Sequence, residues 1–238
     1  MRIITWNCNM AFRKKADFIL TYKPDILIVP ECEHPDKLKF NPNIPEPKDI
    51  LWFGTNQNKG LGIFSYSDFR FKVLDSHNPE LRMIIPIEVT DGCINFILFA
   101  VWAYNPQDID YKYIGQVWKA IHYYENLMKG KNIVFAGDFN SNVIWDKLHR
   151  KISHSMVVEK LISLNIFSTY HIHKNTDQGV KERPTYYMYR HKDKPYHIDY
   201  CFASKDLIDI LQSVEVGEYD FWIQYSYHVP VIVTFDLN

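Results

Sequence analysis

The chain opens on a short apolar, β-branched run, Arg2 to Trp6, that predicts a strand leading straight into Asn7-Cys8-Asn9. From Met10 to Tyr22 the period changes. Phe12, Ala16, Ile19 and Leu20 recur at helical spacing, with Arg13, Lys14 and Lys15 clustered at the start. Pro24-Asp25 ends that helix, and Ile26-Leu27-Ile28-Val29 predicts a second buried strand terminating in Pro30-Glu31-Cys32-Glu33. A strand, helix, strand unit makes the two strands neighbours with their C-terminal ends on one rim, which brings Asn7 close to Glu31. Residues 34 to 49 carry four prolines and predict an irregular surface loop. Short strands follow at 50–54, 61–66, 69–74, 83–89 and 94–101, a meander that favours antiparallel pairing.

Trp102-Ala103-Tyr104-Asn105-Pro106 closes the meander, and an amphipathic helix runs from about 111 to 128 with Tyr113, Val117, Ile121, Tyr124 and Met128 on one stripe. Lys131 to Ala136 reads as a buried strand and delivers Gly137-Asp138-Phe139-Asn140. A glycine past the strand end lets the backbone turn sharply, and the Asp and Asn two positions apart then point the same way. A carboxylate and an amide thus sit at the mouth of a sheet, where α/β proteins hold ligands. Taken alone, the same four residues are an ordinary turn. A helix near 155–164, strands at 184–190, 196–203, 213–217 and 229–235 and a helical segment at 205–211 complete the chain. Without repeats or linkers, two similar halves of interleaved strands and helices predict one domain, residues 1–238, built as a two-sheet α/β sandwich with helices outside.

Composition narrows the function classes. The 238 residues are 47% hydrophobic and 16% aromatic, enough for a substantial core and unlike a disordered chain. A net charge of -1 provides no global basic field, so any attraction to nucleic acid must be local. Cys8, Cys32, Cys93 and Cys201 form no metal-type spacing, and each lies in or beside an apolar run, as expected of reduced, buried thiols. The N-terminus lacks the apolar stretch of a signal peptide, and the longest apolar run, around Ile94 to Tyr104, is too short to span a bilayer. A soluble, cytoplasmic monomer without a membrane partner is the expectation.

Polar residues recur at strand ends: Thr-Trp-Asn7-Cys-Asn9, Val-Pro-Glu31-Cys-Glu, Tyr104-Asn-Pro-Gln, Gly-Asp138-Phe-Asn140, His-Ile-Asp199-Tyr and Ser-Tyr-His228-Val-Pro-Val. In order and type this series resembles the endonuclease/exonuclease/phosphatase superfamily, which includes exonuclease III, deoxyribonuclease I and the inositol polyphosphate 5-phosphatases. The resemblance spans residues 5 to 231. It implies a four-layer α/β sandwich with two mixed, largely antiparallel sheets face to face and helices outside. It also implies phosphoester hydrolysis with a divalent ion, usually Mg²⁺, with Mn²⁺ as a substitute. Glu31 is then the hard-oxygen metal ligand, with Asn7 helping to hold the metal or the scissile phosphate. Asn9 touches substrate or merely caps the helix. His228 and Asp199 form a dyad in which the carboxylate fixes the imidazole tautomer. Either His228 is the general base, or it binds phosphate while Asp138 takes the proton. Asn140 orients water or a phosphate oxygen, and Tyr104 donates its hydroxyl or simply packs at a strand end.

Two positions depart from the family pattern. Tyr227 stands where an Asp usually precedes the dyad histidine, which removes a carboxylate from beside the metal, and Pro30 replaces the Gln before the motif Glu. The stretch Thr185 to Lys194 interleaves aromatics with bases, and its Tyr186 and Arg190 are candidates for stacking bases and holding phosphates. An alternating half-buried strand accounts for the same residues. Arg13, Lys14 and Lys15 either add phosphate contacts or form a solvated helix face. The expected activity is a nuclease acting on DNA or RNA by in-line attack of an activated water. The alternatives are a phosphatase or phosphodiesterase on a nucleotide or other small phosphoester, and an inactive binding module.

Overall fold

The computed structural model describes residues 1–38, 45–104, 111–146 and 151–237. In chain order its strands are β1 (Arg2–Thr5), β2 (Ile26–Cys32), β3 (Asp49–Asn56), β4 (Lys59–Ser65), β5 (Arg70–Val73), β6 (Ile84–Thr90), β7 (Asn95–Trp102), β8 (Ile133–Asp138), β9 (Ile166–Ser168), β10 (Tyr186–Tyr187), β11 (Pro195–Tyr196), β12 (Asp199–Ser204), β13 (Leu211–Val216) and β14 (Val231–Phe235). The α-helices are α1 (Ala16–Leu20), α2 (Ile114–Met128), α3 (His154–Ser163), α4 (Thr169–Lys174), α5 (Lys205–Asp209) and α6 (Tyr219–Trp222). Among the described residues the long strands form two six-stranded sheets, ordered β13-β14-β1-β2-β4-β3 and β5-β6-β7-β8-β12-β9, while β10 and β11 pair separately. Each six-stranded sheet has one parallel pair near its middle, β1 with β2 and β7 with β8, and antiparallel neighbours elsewhere.

The alternation of side chains along the strands makes the layers. In β7, β8 and β12 the residues Leu98, Ala100, Val134, Ala136, Cys201 and Ala203 join Ile3, Ile28, Ile63 and Val233 in the core between the sheets. Their neighbours Ile97, Phe99, Phe135, Tyr200 and Phe202 turn the other way and pack with Val117, Ile121, Tyr124 and Met128 of α2 and Leu161 of α3. The stripe expected on α2 is therefore real, except that Tyr113 lies at its N-cap and is partly exposed. No helix among the described residues is long and apolar enough to cross a membrane.

Several expected boundaries differ for local reasons. The helix expected over 10–22 is a 3₁₀ turn, Phe12–Lys14, followed by the short α1. Asn9, Met10 and Ala11 all have left-handed φ (52°, 63° and 50°), and the buried Glu33 carboxylate accepts the Phe12 N–H. The strand expected at 184–190 is only β10 followed by a 3₁₀ turn in which Tyr189 and Arg190 have φ of 57° and 62°. The run 196–203 is likewise interrupted between β11 and β12. Strand β9 and helices α4 and α6 were not expected, because each is too short for a periodic signal. Three cysteines are buried as expected, but Cys93 is exposed on the β6–β7 turn. Asn105 and Pro106 of the Tyr104 motif, and residues 39–44 of the proline-rich loop, lie outside the described residues.

Gly137 is a further correction. It lies inside β8 rather than beyond it, with φ 148°, and the chain turns later, at Asn140, where φ is 48°. A Cβ on Gly137 would stand 1.8 Å from the Val101 carbonyl oxygen of β7. Backbone meets backbone there, so the neighbour has nowhere to go. Gly137→Ala is expected to destabilise the protein by more than about 1 kcal/mol in denaturant unfolding; an unchanged midpoint would mean that β7 and β8 do not approach this closely.

Candidate active site

The site forms where the C-terminal ends of the parallel pairs meet across the sandwich. Hydrogen bonding between β1 and β2 continues past their ends, Trp6 N–H donating to Ile28 O and Cys8 N–H to Pro30 O, which places Asn7 beside the Glu31 segment. In the second sheet Asp138 at the end of β8 is directly opposite Asp199 at the start of β12. Asn7 joins the sheets by donating its side-chain amide to Asp138 Oδ2 at 3.0 Å.

His228 arrives from the segment before β14. Its ring Nδ1 lies 2.8 Å from Asp199 Oδ2, and its Nε2 lies 4.0 Å from Asp138 Oδ2. The first distance is a hydrogen bond; the second leaves a gap that a bridging oxygen can fill. The backbone around the ring is fixed on all sides. Trp6 Nε1 donates to His228 O, His228 N–H donates to Ser226 Oγ, and Ser226 Oγ donates to Asn7 O. Asn140 folds back on Asp138, its backbone N–H reaching Oδ1 at 2.9 Å and its amide reaching Oδ2 at 3.0 Å and Ala103 O at 2.7 Å. Thr185 Oγ1 accepts the N–H groups of both Ile198 and Asp199.

Burial and charge act against each other here. Burial pushes the Asp138 carboxyl well above the usual carboxylate range and the neighbouring Asp199 charge adds to the rise, while His228 and the donors from Asn7 and Asn140 only partly offset them. For His228 burial pulls the other way, but Asp199, Asp138 and the bond to Asp199 outweigh it and hold the imidazolium up to about 9. His228 is therefore an imidazolium through the neutral range, while Asp138 is a carboxylate of unusually high proton affinity beside it.

Asp138, Asp199 and His228 bring ligand atoms within 4.8 Å of one another, an acidic cluster that can bind a metal ion. Glu31, the expected ligand, stands apart from that cluster. It is the bulged residue of β2, between Pro30 and Cys32, with φ 64°, and its Oε1 is 3.1 Å from Lys59 Nζ. The donor types suit a hard divalent ion: carboxylate oxygens of Asp138 and, farther off, Glu31, the Asn7 amide oxygen that also accepts the Asn9 N–H, and Asp199 Oδ1, a buried oxygen without a hydrogen-bond partner among the described residues.

The other expected residues are placed less centrally. Asn9 donates its backbone N–H to Asn7 Oδ1 and so orients Asn7. Tyr104 lies at the rim, its hydroxyl accepting from Arg82 at 2.8 Å. Tyr186 packs on the His228 ring at 4.7 Å between centroids, and the aromatic contact continues through Tyr196 to Trp145. Arg190 is exposed, donates to Gln224 O at 3.3 Å and lies over the Tyr227 ring. Of the basic trio, Arg13 pairs with buried Glu33 and Lys15 donates to the Cys8 and Asn9 carbonyls, so two of the three shape the loop itself.

A second buried cluster escaped sequence reasoning. Glu182 receives His171 Nε2 and Asn142 Nδ2, and Asn142 also donates to His197 O and the Tyr200 hydroxyl. Although burial favours the neutral acid, the His171 bond, the His197 charge and donors from Gly179 and Asn142 hold Glu182 down to about 2. This network braces the 139–146 segment against the strand that carries Asp199.

The His228 environment makes stability depend on pH. A histidine whose folded value is raised from 6.5 to about 9 contributes stability that is complete below 6.5 and is lost as pH rises through 9. A shift of that size corresponds to something of the order of 3 kcal/mol. Urea unfolding of metal-free protein is expected to weaken over this window, and His228→Gln to lack the decline; parallel curves for the two proteins would contradict it.

The family model described as "Endonuclease/Exonuclease/phosphatase family" matches residues 4–220. No curated protein matches. Among solved structures, the chain is similar to a 3'-5' exonuclease from Neisseria meningitidis, with 21% identity, 99% of this chain and 100% of that one covered, and a TM-score of 0.66. It is also similar to an AP endonuclease from Archaeoglobus fulgidus, with 19% identity, 100% of both chains covered and a TM-score of 0.65. The endonuclease domain of TRAS1, a telomere-specific non-LTR retrotransposon, aligns at 16% identity over 99% of this chain and 98% of that one, with a TM-score of 0.66. These likenesses establish a shared fold, and the family match across nearly the whole chain places this protein in the Endonuclease/Exonuclease/phosphatase family.

Proposed function

We propose that this protein is a divalent-metal-dependent phosphodiesterase acting on nucleic acid. The observation that carries the reading is the His228 arrangement: Nδ1 held by Asp199 at 2.8 Å, and Nε2 facing Asp138 across 4.0 Å. An imidazolium held by Asp199 is a donor, not a base, so Nε2–H binds a non-bridging phosphoryl oxygen. Asp138, with its raised proton affinity, accepts the proton of the attacking water. The water oxygen forms the new P–O bond as the bond to the leaving oxygen breaks on the opposite side. Asn140 positions the Asp138 carboxylate, and Tyr104, whose hydroxyl accepts from Arg82, keeps its own hydrogen for the leaving oxygen. Glu31 and Asn7 are the residues that would hold Mg²⁺ or Mn²⁺, which supplies charge stabilisation to the phosphoryl oxygens when bound.

Nucleic acid is favoured over a small phosphoester by what surrounds the histidine. The run His228, Tyr186, Tyr196, Trp145 offers successive aromatic faces beside the scissile position. Farther out, Lys194 lies over the 70%-exposed Tyr189, and Arg190 lies over Tyr227. Stacking surfaces interleaved with cations suit single-stranded or opened nucleic acid. Tyr186 belongs to the inner contact, Arg190 to the outer rim, and Asn9 to the support of Asn7. Two proteins of similar structure point the same way, an AP endonuclease from Archaeoglobus fulgidus and a 3' phosphatase from Neisseria bound to a product DNA hairpin.

A substrate panel with Mg²⁺, Mn²⁺ or EDTA, covering abasic duplex, single- and double-stranded DNA, RNA, nucleotides and inositol phosphates, is the direct test. Oligonucleotides are expected to be cleaved in preference, only with metal, and Glu31→Ala to lose activity while remaining folded. Full activity in EDTA, or in folded Glu31→Ala, would remove the metal assignment; cleavage confined to inositol phosphates would remove the nucleic-acid reading.

Asp199 and His228 act as one unit in this scheme. Each alanine variant is expected to lose about 10²- to 10⁴-fold in rate, and the double variant little more than the worse single one. Losses that multiply would show that the two residues work apart.

A further inference from the structure

Lys59 is the first residue of β4, and its hairpin with β3 brings it to the β2 bulge that carries Glu31. Its ammonium is 3.1 Å from Glu31 Oε1 and also lies over the Trp102 ring, 5.3 Å from the centroid. Trp102 in turn is opposite Asp138 in the β7–β8 register and packs beside Tyr104. The ammonium therefore rests inside the rim of the site, with two different partners. The Glu31 carboxylate is only 18% exposed, so this ion pair is less screened than a surface one.

We propose that Lys59 is a built-in counter-ion that a divalent metal must displace from Glu31. The inference rests on Glu31 as the metal ligand. Lys59 occupies Oε1, and a divalent cation at about 2.0–2.1 Å from either oxygen of the same carboxylate would stand within a few ångströms of the ammonium, where like charges repel. The Trp102 face gives the displaced ammonium a second seat, because a cation over an indole ring is attracted by its negative face. Lys59 is thus a positioning residue. It neutralises and orients Glu31 before a metal arrives, and it makes metal binding by the free protein weak.

The test is titration of Mn²⁺ into substrate-free protein at fixed pH, followed by electron paramagnetic resonance of unbound Mn²⁺, with Mg²⁺ as competitor. Lys59→Met is expected to bind Mn²⁺ at least tenfold more tightly than the unaltered protein, and Lys59→Arg, which keeps the charge, to bind it weakly. Lys59 is 40% exposed at a hairpin, so both variants should fold, as far-UV circular dichroism would check. Glu31→Gln is expected to lose the site. Equal or weaker Mn²⁺ binding by Lys59→Met, with binding still lost in Glu31→Gln, would overturn the counter-ion role alone. Unchanged binding in Glu31→Gln would overturn the metal assignment beneath it.

Discussion

Two carboxylates, Asp138 and Asp199, face each other across a single pair of antiparallel strands, and both are buried. Burying two like charges side by side is costly unless a cation lies between them. His228 is that cation, and much of the surrounding structure holds it in place. Ser226 ties its backbone to Asn7, Trp6 ties its carbonyl to β1, and Thr185 ties the backbone at Asp199 to the loop before β10. Both sheets therefore contribute to one charge arrangement, and neither sheet alone could form it.

The backbone bears the same mark. Glu31, Asn140 and Asn9, three residues without a glycine's freedom, all have left-handed φ and all lie at this rim. Each such conformation costs of the order of 1–3 kcal/mol and persists only where its surroundings enforce it. At Glu31 the enforcement is a bulge in β2; at Asn140 it is the pair of hydrogen bonds back to Asp138. At Asn140 the strained backbone brings the side-chain amide back onto Asp138.

Much of this was legible in the chain. The α2 stripe and the buried strand leading to Asp138 follow from their patterns of apolar positions, and the β1–β2 pairing follows from the order strand, helix, strand. The polar residues after those strands were visible as breaks in apolar runs. Other features had no such signal. Gly137 reads as a turn residue, yet its role is to let two strands touch, which depends on Val101 thirty-six residues earlier. Lys59, Arg82 and Glu182 look like ordinary surface charges until the fold sets them against Glu31, Tyr104 and His171. The aromatic stretch at 184–190 alternates like a strand but is halted by a 3₁₀ turn at Met188, so Tyr186 packs on His228, Tyr187 on Tyr219, and Tyr189 is left at the surface.

The central claim is that His228 is an imidazolium pinned between two buried carboxylates, which makes it the phosphate donor and leaves the proton transfer to Asp138. Nitrogen-15 NMR of the imidazole in metal-free protein reads that state directly. The account predicts both ring nitrogens protonated at pH 7.5, with a titration centred near 9. A neutral ring at pH 7.5, protonated only at Nδ1 and titrating at or below 6.5, would contradict it and return the role of base to His228.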